Sequence, residues 1–110
     1  MRSHVVTGIL AAAVAAFSTG AGAQALSPAA QRGLVFVQTN CSMCHAVGHF
    51  GDSPLALAPP FRTLHERYPV EDLAEALAEG ITVGHPTMPQ FKLDPAQIDD
   101  VISYLQTLEQ

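Results

Sequence analysis

The segment Cys41-Ser42-Met43-Cys44-His45 has the residue types and spacing that point most directly to chemistry. Its two cysteines are the only ones in 110 residues. A pair this close cannot staple a small domain, which leaves a chemical role. Two thiols on one turn of chain can reach the two vinyl groups of a single haem and form thioethers. The imidazole of the next residue then points at the iron. Three other readings use the same residues. A thioredoxin-like redox pair wants a βαβ setting, and the sequence shows none. Structural zinc wants two tight ligand pairs; His45, His49, His65 and His85 offer partners, but the second tight pair is missing. A plain disulfide beside a chance histidine is the simplest alternative.

A haem iron held by His45 has a sixth position, open or filled. Met43 lies inside the attachment turn and cannot reach the opposite face. His49 is four residues past His45, on the same side. Met88 sits in Gly84-His85-Pro86-Thr87-Met88-Pro89, an irregular segment flanked by prolines. Such a loop can hold a weak thioether over iron, whereas a core methionine usually lies on a helix face. His85, three residues earlier, is the rival; otherwise it reads as a surface or propionate-side histidine. Met88 is favoured.

The elements that must place these groups are marked by local signals. Ser27-Pro28 reads as N-cap and first helical residue of a helix running to about Asn40. Gly33 in its middle costs about 1 kcal/mol against alanine, which implies a close approach of another backbone. Residues 46–58 show no period and are rich in Gly, Ser, Asp and Pro. So long an irregular stretch must pack over something, such as a cofactor. Pro59-Pro60 leads into a short helical turn from Phe61 to Arg67. A helix begins after Pro69, with Val70, Leu73, Ala74, Leu77 and Ala78 on one face and Gly80 closing it. A second irregular stretch covers residues 81–93. Asp94-Pro95-Ala96-Gln97 then opens a helix with a capping-box pattern. Its apolar positions are Ile98, Val101, Ile102, Leu105 and Leu108. No strand pattern competes, so the fold class is all-α, with three to four helices.

The first residues read as a leader. Arg2 is the sole charge before residue 32, and the 13 residues from Val5 to Phe17 are largely apolar. Small residues come next, with Ala21-Gly22-Ala23 or Ala23-Gln24-Ala25 as the processing site. The apolar run is shorter than the ~20 residues needed to span a bilayer. Residues 1–23 are therefore expected to be a cleaved secretory signal, and residues 24–110 a single domain. That domain has four bases against ten acids, a net −6. Charged residues are only 14% of the whole chain and hydrophobic ones 48%. The balance excludes a nucleic-acid binder and a disordered chain.

With those motifs in place, the chain resembles the small monohaem class I cytochromes c of bacteria over nearly all of residues 28–108. Gly33 matches that family's helix-crossing glycine, eight residues before Cys41. Tyr104-Leu105 matches the aromatic position that packs against it. Ala58-Pro59-Pro60-Phe61 is similar to the family's proline loop, and Met88-Pro89 with Phe91 to its methionine loop. The resemblance implies the cytochrome c fold, with helices wrapped around one covalently attached haem c. It implies haem attachment at Cys41 and Cys44 and iron ligation by His45 and Met88. It also implies that the Pro59 carbonyl accepts the Nδ1–H of His45, which would fix the ring.

The expected function is a soluble periplasmic electron carrier, a monomer and not an enzyme. No acid–base pair or nucleophile constellation stands out. Asp99 and Asp100 read as a solvated helix face. Redox protein partners would dock a basic or neutral face, since the domain is acidic. Arg62, Arg67, Tyr68 and His65 are candidate donors to the haem propionates, and Lys92 could sit at the haem rim. Two alternatives remain: an electron-transfer subunit of a periplasmic dehydrogenase complex, docking through Phe50, Ala56 and Leu57, or a haem enzyme or gas-binding protein with a displaceable sixth ligand.

Overall fold

A computed structural model describes residues 8, 12–17, 25–80 and 87–109. They contain three α-helices, α1 (Pro28–Asn40), α2 (Leu73–Glu79) and α3 (Pro95–Gln106). Two 3₁₀ segments, Phe61–Glu66 and Val70–Asp72, precede α2. No strand occurs among the described residues. The all-α expectation holds.

Side-chain caps set the starts of α1 and α3. Ser27 Oγ accepts from the Ala30 N–H at 3.1 Å, and Pro28 takes the first helical position, where a missing N–H costs nothing. At α3 the Gln97 N–H donates to Asp94 Oδ1 at 2.9 Å. The Asp94 N–H donates back to Gln97 Oε1 at 3.2 Å, completing a capping box. The regular part of α3 stops at Gln106, short of Leu108. Leu108 is nonetheless fully buried, in a turn closed by its N–H to the Leu105 carbonyl at 3.0 Å.

The segment after Pro69 departs from the expected single helix. Its first turn is 3₁₀, and α-geometry begins only at Leu73. Three residues per turn in place of 3.6 rotates the register of every later residue in the segment. Ala78 consequently faces solvent, and Ala76 joins Leu73 and Leu77 on the inward side. Gly80 ends α2 at φ 76°, a left-handed conformation that glycine adopts without Cβ strain.

The core is the crossing of α1 with α3. Ala30 and Val37 from α1 meet Ile98, Val101, Tyr104 and Leu105 from α3, with Leu64, Val70, Leu93 and Leu108 closing around them. Each fully buried aliphatic side chain contributes roughly 1.5–3 kcal/mol. Gly33 allows the close approach: a Cβ there would stand 2.0 Å from the Asp100 carbonyl oxygen and 2.8 Å from Tyr104 Cβ. Gly33→Ala must push the helices apart. A cost of about 3 kcal/mol is expected, the upper end for overpacking, because backbone cannot swing aside as a side chain can. Chemical unfolding of the haem-loaded variant measures it.

One reading is corrected here. Asp100 is not part of a solvated face. The Arg32 guanidinium grips it in a fork, Nε to Oδ2 at 2.9 Å and Nη2 to Oδ1 at 2.8 Å. The pair ties α1 to α3 beside the Gly33 contact, and Asp100 raises the guanidinium's pKa further.

Candidate functional site

α1 delivers Cys41 at its C-cap, where the Cys41 N–H still bonds the Val37 carbonyl at 2.8 Å. The chain then turns tightly, with the His45 N–H donating to the Cys41 carbonyl at 2.9 Å. This turn keeps both thiols and the imidazole within one bend of five residues, Cys41 to His45. His45 is buried. Its Nδ1 lies 2.8 Å from the Pro59 carbonyl oxygen. A carbonyl only accepts, so Nδ1 carries the proton and Nε2 carries the lone pair, the form that ligates a metal. The Phe61 ring packs on the imidazole at 4.8 Å between centroids, a contact that spacing alone did not disclose.

These groups open onto an apolar cavity of about 510 Å³. Cys41, His45, Pro59, Phe61 and Met88 are on its walls. Cys44 is half-buried in the same turn but is not one of the lining residues. α2 supplies Leu73, Ala76 and Leu77, and α3 supplies Val101 and Leu105. Met88 is half-buried in an irregular segment. That segment is anchored where the Leu93 N–H donates to the Leu77 carbonyl at 2.9 Å, and Leu93 is buried. Pro89 stiffens the chain next to Met88.

Other expected residues stand elsewhere. His49 is exposed and touches Phe50. His65 is half-buried off the cavity wall, its Nδ1 buried with no hydrogen-bond partner among the described residues. His85 lies outside the described residues. Arg62 donates to the Gly51 carbonyl at 2.7 Å and so clamps the 46–58 loop. Arg67 is exposed. Tyr68 lines the cavity, and burial raises its hydroxyl's pKa. Lys92 is exposed, packed beside Gly80 and not on the cavity wall. Phe50, Ala56 and Leu57 do not line the cavity; Phe50 is 90% exposed.

Asp72 is a wall residue that the sequence reading missed. It closes the 3₁₀ segment Val70–Asp72 that leads into α2. The 3₁₀ turn is what brings it to the cavity, and no periodicity argument based on 3.6 residues finds it.

The chemistry of this donor set bears on the four readings. Cys41 and Cys44 are both unpaired thiols. Burial pushes the Cys41 thiol up to about 11, with Cys44 adding to the shift. A redox-active pair needs a lowered thiol pKa, so this environment opposes that use. Among the described residues no group of three or more His, Cys, Asp or Glu side chains could hold a metal ion; His85, which the zinc reading also used, lies outside them. Haem fits the residues present: an apolar slot, a thiol on its wall, an imidazole of fixed tautomer and a thioether.

Comparisons with known proteins give the family. The Cytochrome c family model matches residues 30–109. A cytochrome c-553-like protein of Synechocystis sp. is 31% identical over 84 residues, covering 76% of this chain and 73% of the relative. No solved structure matches the chain.

Proposed function

Since the chain belongs to the cytochrome c family and so carries covalently bound haem c, we propose that it is a periplasmic carrier of single electrons, with haem attached at Cys41 and Cys44 and iron held by His45 and Met88. The observation that carries this reading is the shared cavity: Cys41, His45 and Met88 line one apolar slot, and the Pro59 carbonyl sits at Nδ1 of the imidazole. Bound there, haem c supplies one-electron exchange between ferrous and ferric iron.

The chain's own residues set the terms of that exchange. Pro59 orients the His45 ring and raises its basicity. Met88 contributes a neutral thioether. With the apolar walls it favours the less charged ferrous state and a high potential. Phe61, Leu64, Leu77 and Leu105 keep water from the slot. Because these walls belong to anchored segments, little has to move when the charge on the iron changes.

Export rests on the leader reading of residues 1–23, cut after Ala23 or Ala25. Among the described leader residues, Val14 and Phe17 are about nine-tenths exposed, an unusual place for large apolar side chains in a folded domain. No helix among the described residues is long and apolar enough to cross a membrane.

A monomer meeting redox proteins fits the exposed surface of the attachment loop. Between Cys41 and Phe61 the only formal charge is Asp52, while Met43, Phe50 and Leu57 are exposed. A neutral docking face on the partner suits that surface better than a basic one. The same exposed side chains favour the second reading, a subunit fixed to a dehydrogenase. Stable co-purification from the native cell distinguishes the subunit from the free carrier.

The first experiment is an optical spectrum of the mature protein, oxidised, reduced and then exposed to carbon monoxide. The expected result is a c-type reduced spectrum, a sulfur-to-iron charge-transfer band when oxidised, and no response to the gas. A spectrum that shifts with carbon monoxide would turn the reading toward an enzyme or gas-binding protein.

A further inference from the structure

We propose that the hydroxyl of Tyr104 is a positioning group for His45, acting through the carbonyl of Val47. The proposal rests on His45 being the iron ligand. Tyr104 is 4% exposed and sits at the α1–α3 crossing, its Cβ facing Gly33. Phenylalanine would fill that contact equally well. The hydroxyl does something else: it donates to the Val47 carbonyl at 2.6 Å, across 57 residues of sequence. A buried tyrosine hydroxyl takes a partner, and here the partner lies two residues beyond the imidazole.

The segment leaving His45 is held from three directions. The Ala46 N–H donates to Ser53 Oγ at 3.0 Å, and the Ala46 carbonyl accepts from the Phe61 N–H at 2.9 Å. Both of those bonds come from loop residues or the 3₁₀ segment. Tyr104 joins the same segment to the helix crossing, the best-packed part of the fold. Pro59 and Phe61, which touch the imidazole, belong to the piece of chain that Ala46 binds. Freeing the Val47 carbonyl therefore loosens the mounting on which the Nδ1–H to Pro59 bond depends.

The test uses the haem-loaded protein, as wild type, Tyr104→Phe and Leu108→Val. Leu108→Val trims the core in the turn that follows α3 and removes no polar bond. NMR of the reduced protein tracks solvent exchange of the His45 Nδ1 proton, and voltammetry gives the reduction potential. Tyr104→Phe is expected to speed the exchange roughly fivefold, the effect of losing one ordinary hydrogen bond, and to shift the potential. Leu108→Val is expected to leave both near wild type. A ligated His45 whose exchange and potential are unmoved by Tyr104→Phe, or moved no more than by Leu108→Val, overturns the proposal alone. A wild-type His45 whose ring protons show neither the haem ring-current shift in the reduced protein nor a paramagnetic shift in the oxidised one overturns the ligand reading, and the proposal with it.

Discussion

Replacing Cys41 and Cys44 together by alanine is expected to abolish cooperative folding, not merely to release haem. The cavity of about 510 Å³ lies against the core, sharing Val37, Leu64, Leu93, Val101 and Leu105 with it. Left unfilled, the slot strips those walls of packing partners, a loss larger than the roughly 2–5 kcal/mol of truncating one core side chain. The whole stability of a domain is only about 5–15 kcal/mol. Collapse of the walls would recover part of that cost but would break the α1–α3 register that Gly33 permits. Non-covalent retention would leave haem free to dissociate. The double variant should therefore show no sigmoidal unfolding transition by circular dichroism, and little helix. A variant that unfolds cooperatively without haem would mean that the α1–α3 crossing alone suffices.

The starts of α1 and α3 were legible because each depends on residues within four positions of one another: Ser27 with Ala30, Asp94 with Gln97. The attachment turn was legible for the same reason. The register of α2 was not, because a 3₁₀ first turn shifts every later side chain and nothing in the periodicity signals it. That single turn explains both the exposed Ala78 and the unexpected wall residue Asp72. Contacts across the chain were legible where a residue type demanded them or where the family resemblance supplied them, as for the Pro59 carbonyl at His45 Nδ1. Gly33 implied a close backbone because a mid-helix glycine is otherwise a cost. The fork between Arg32 and Asp100, and the bond from Tyr104 to Val47, carried no such signal. An arginine and a tyrosine on helices have many possible partners, and only the crossing angle chooses among them. The reading of Phe50 and Leu57 likewise needed coordinates, since a loop with no period does not tell which of its apolar residues turn inward.

Met88→Ala is expected to convert a site indifferent to carbon monoxide into one that binds it, and to lower the reduction potential. Among the described residues, Met88 is the one thioether on the cavity wall. Its neighbours on that wall, Phe91 and Leu93, have no donor atom to take its place. The segment itself should hold, because Leu93 is anchored to the Leu77 carbonyl and Asp94 caps α3 beyond it. With Met88 the iron ligand as proposed, the substitution removes that ligand with little loss of fold, and the gas meets an open position. Losing the thioether removes the group that favours ferrous iron. The potential should fall by a substantial step within the roughly 0.8 V that axial ligation spans. Loss of the sulfur-to-iron band in the oxidised protein must accompany both changes. Met88→His separates ligand identity from mere occupancy: it should restore indifference to carbon monoxide while keeping the potential low, since imidazole fills the position without the thioether's preference. If Met88→Ala keeps the wild-type spectrum and still ignores the gas, another side chain holds the iron, and His85 becomes the residue to replace next.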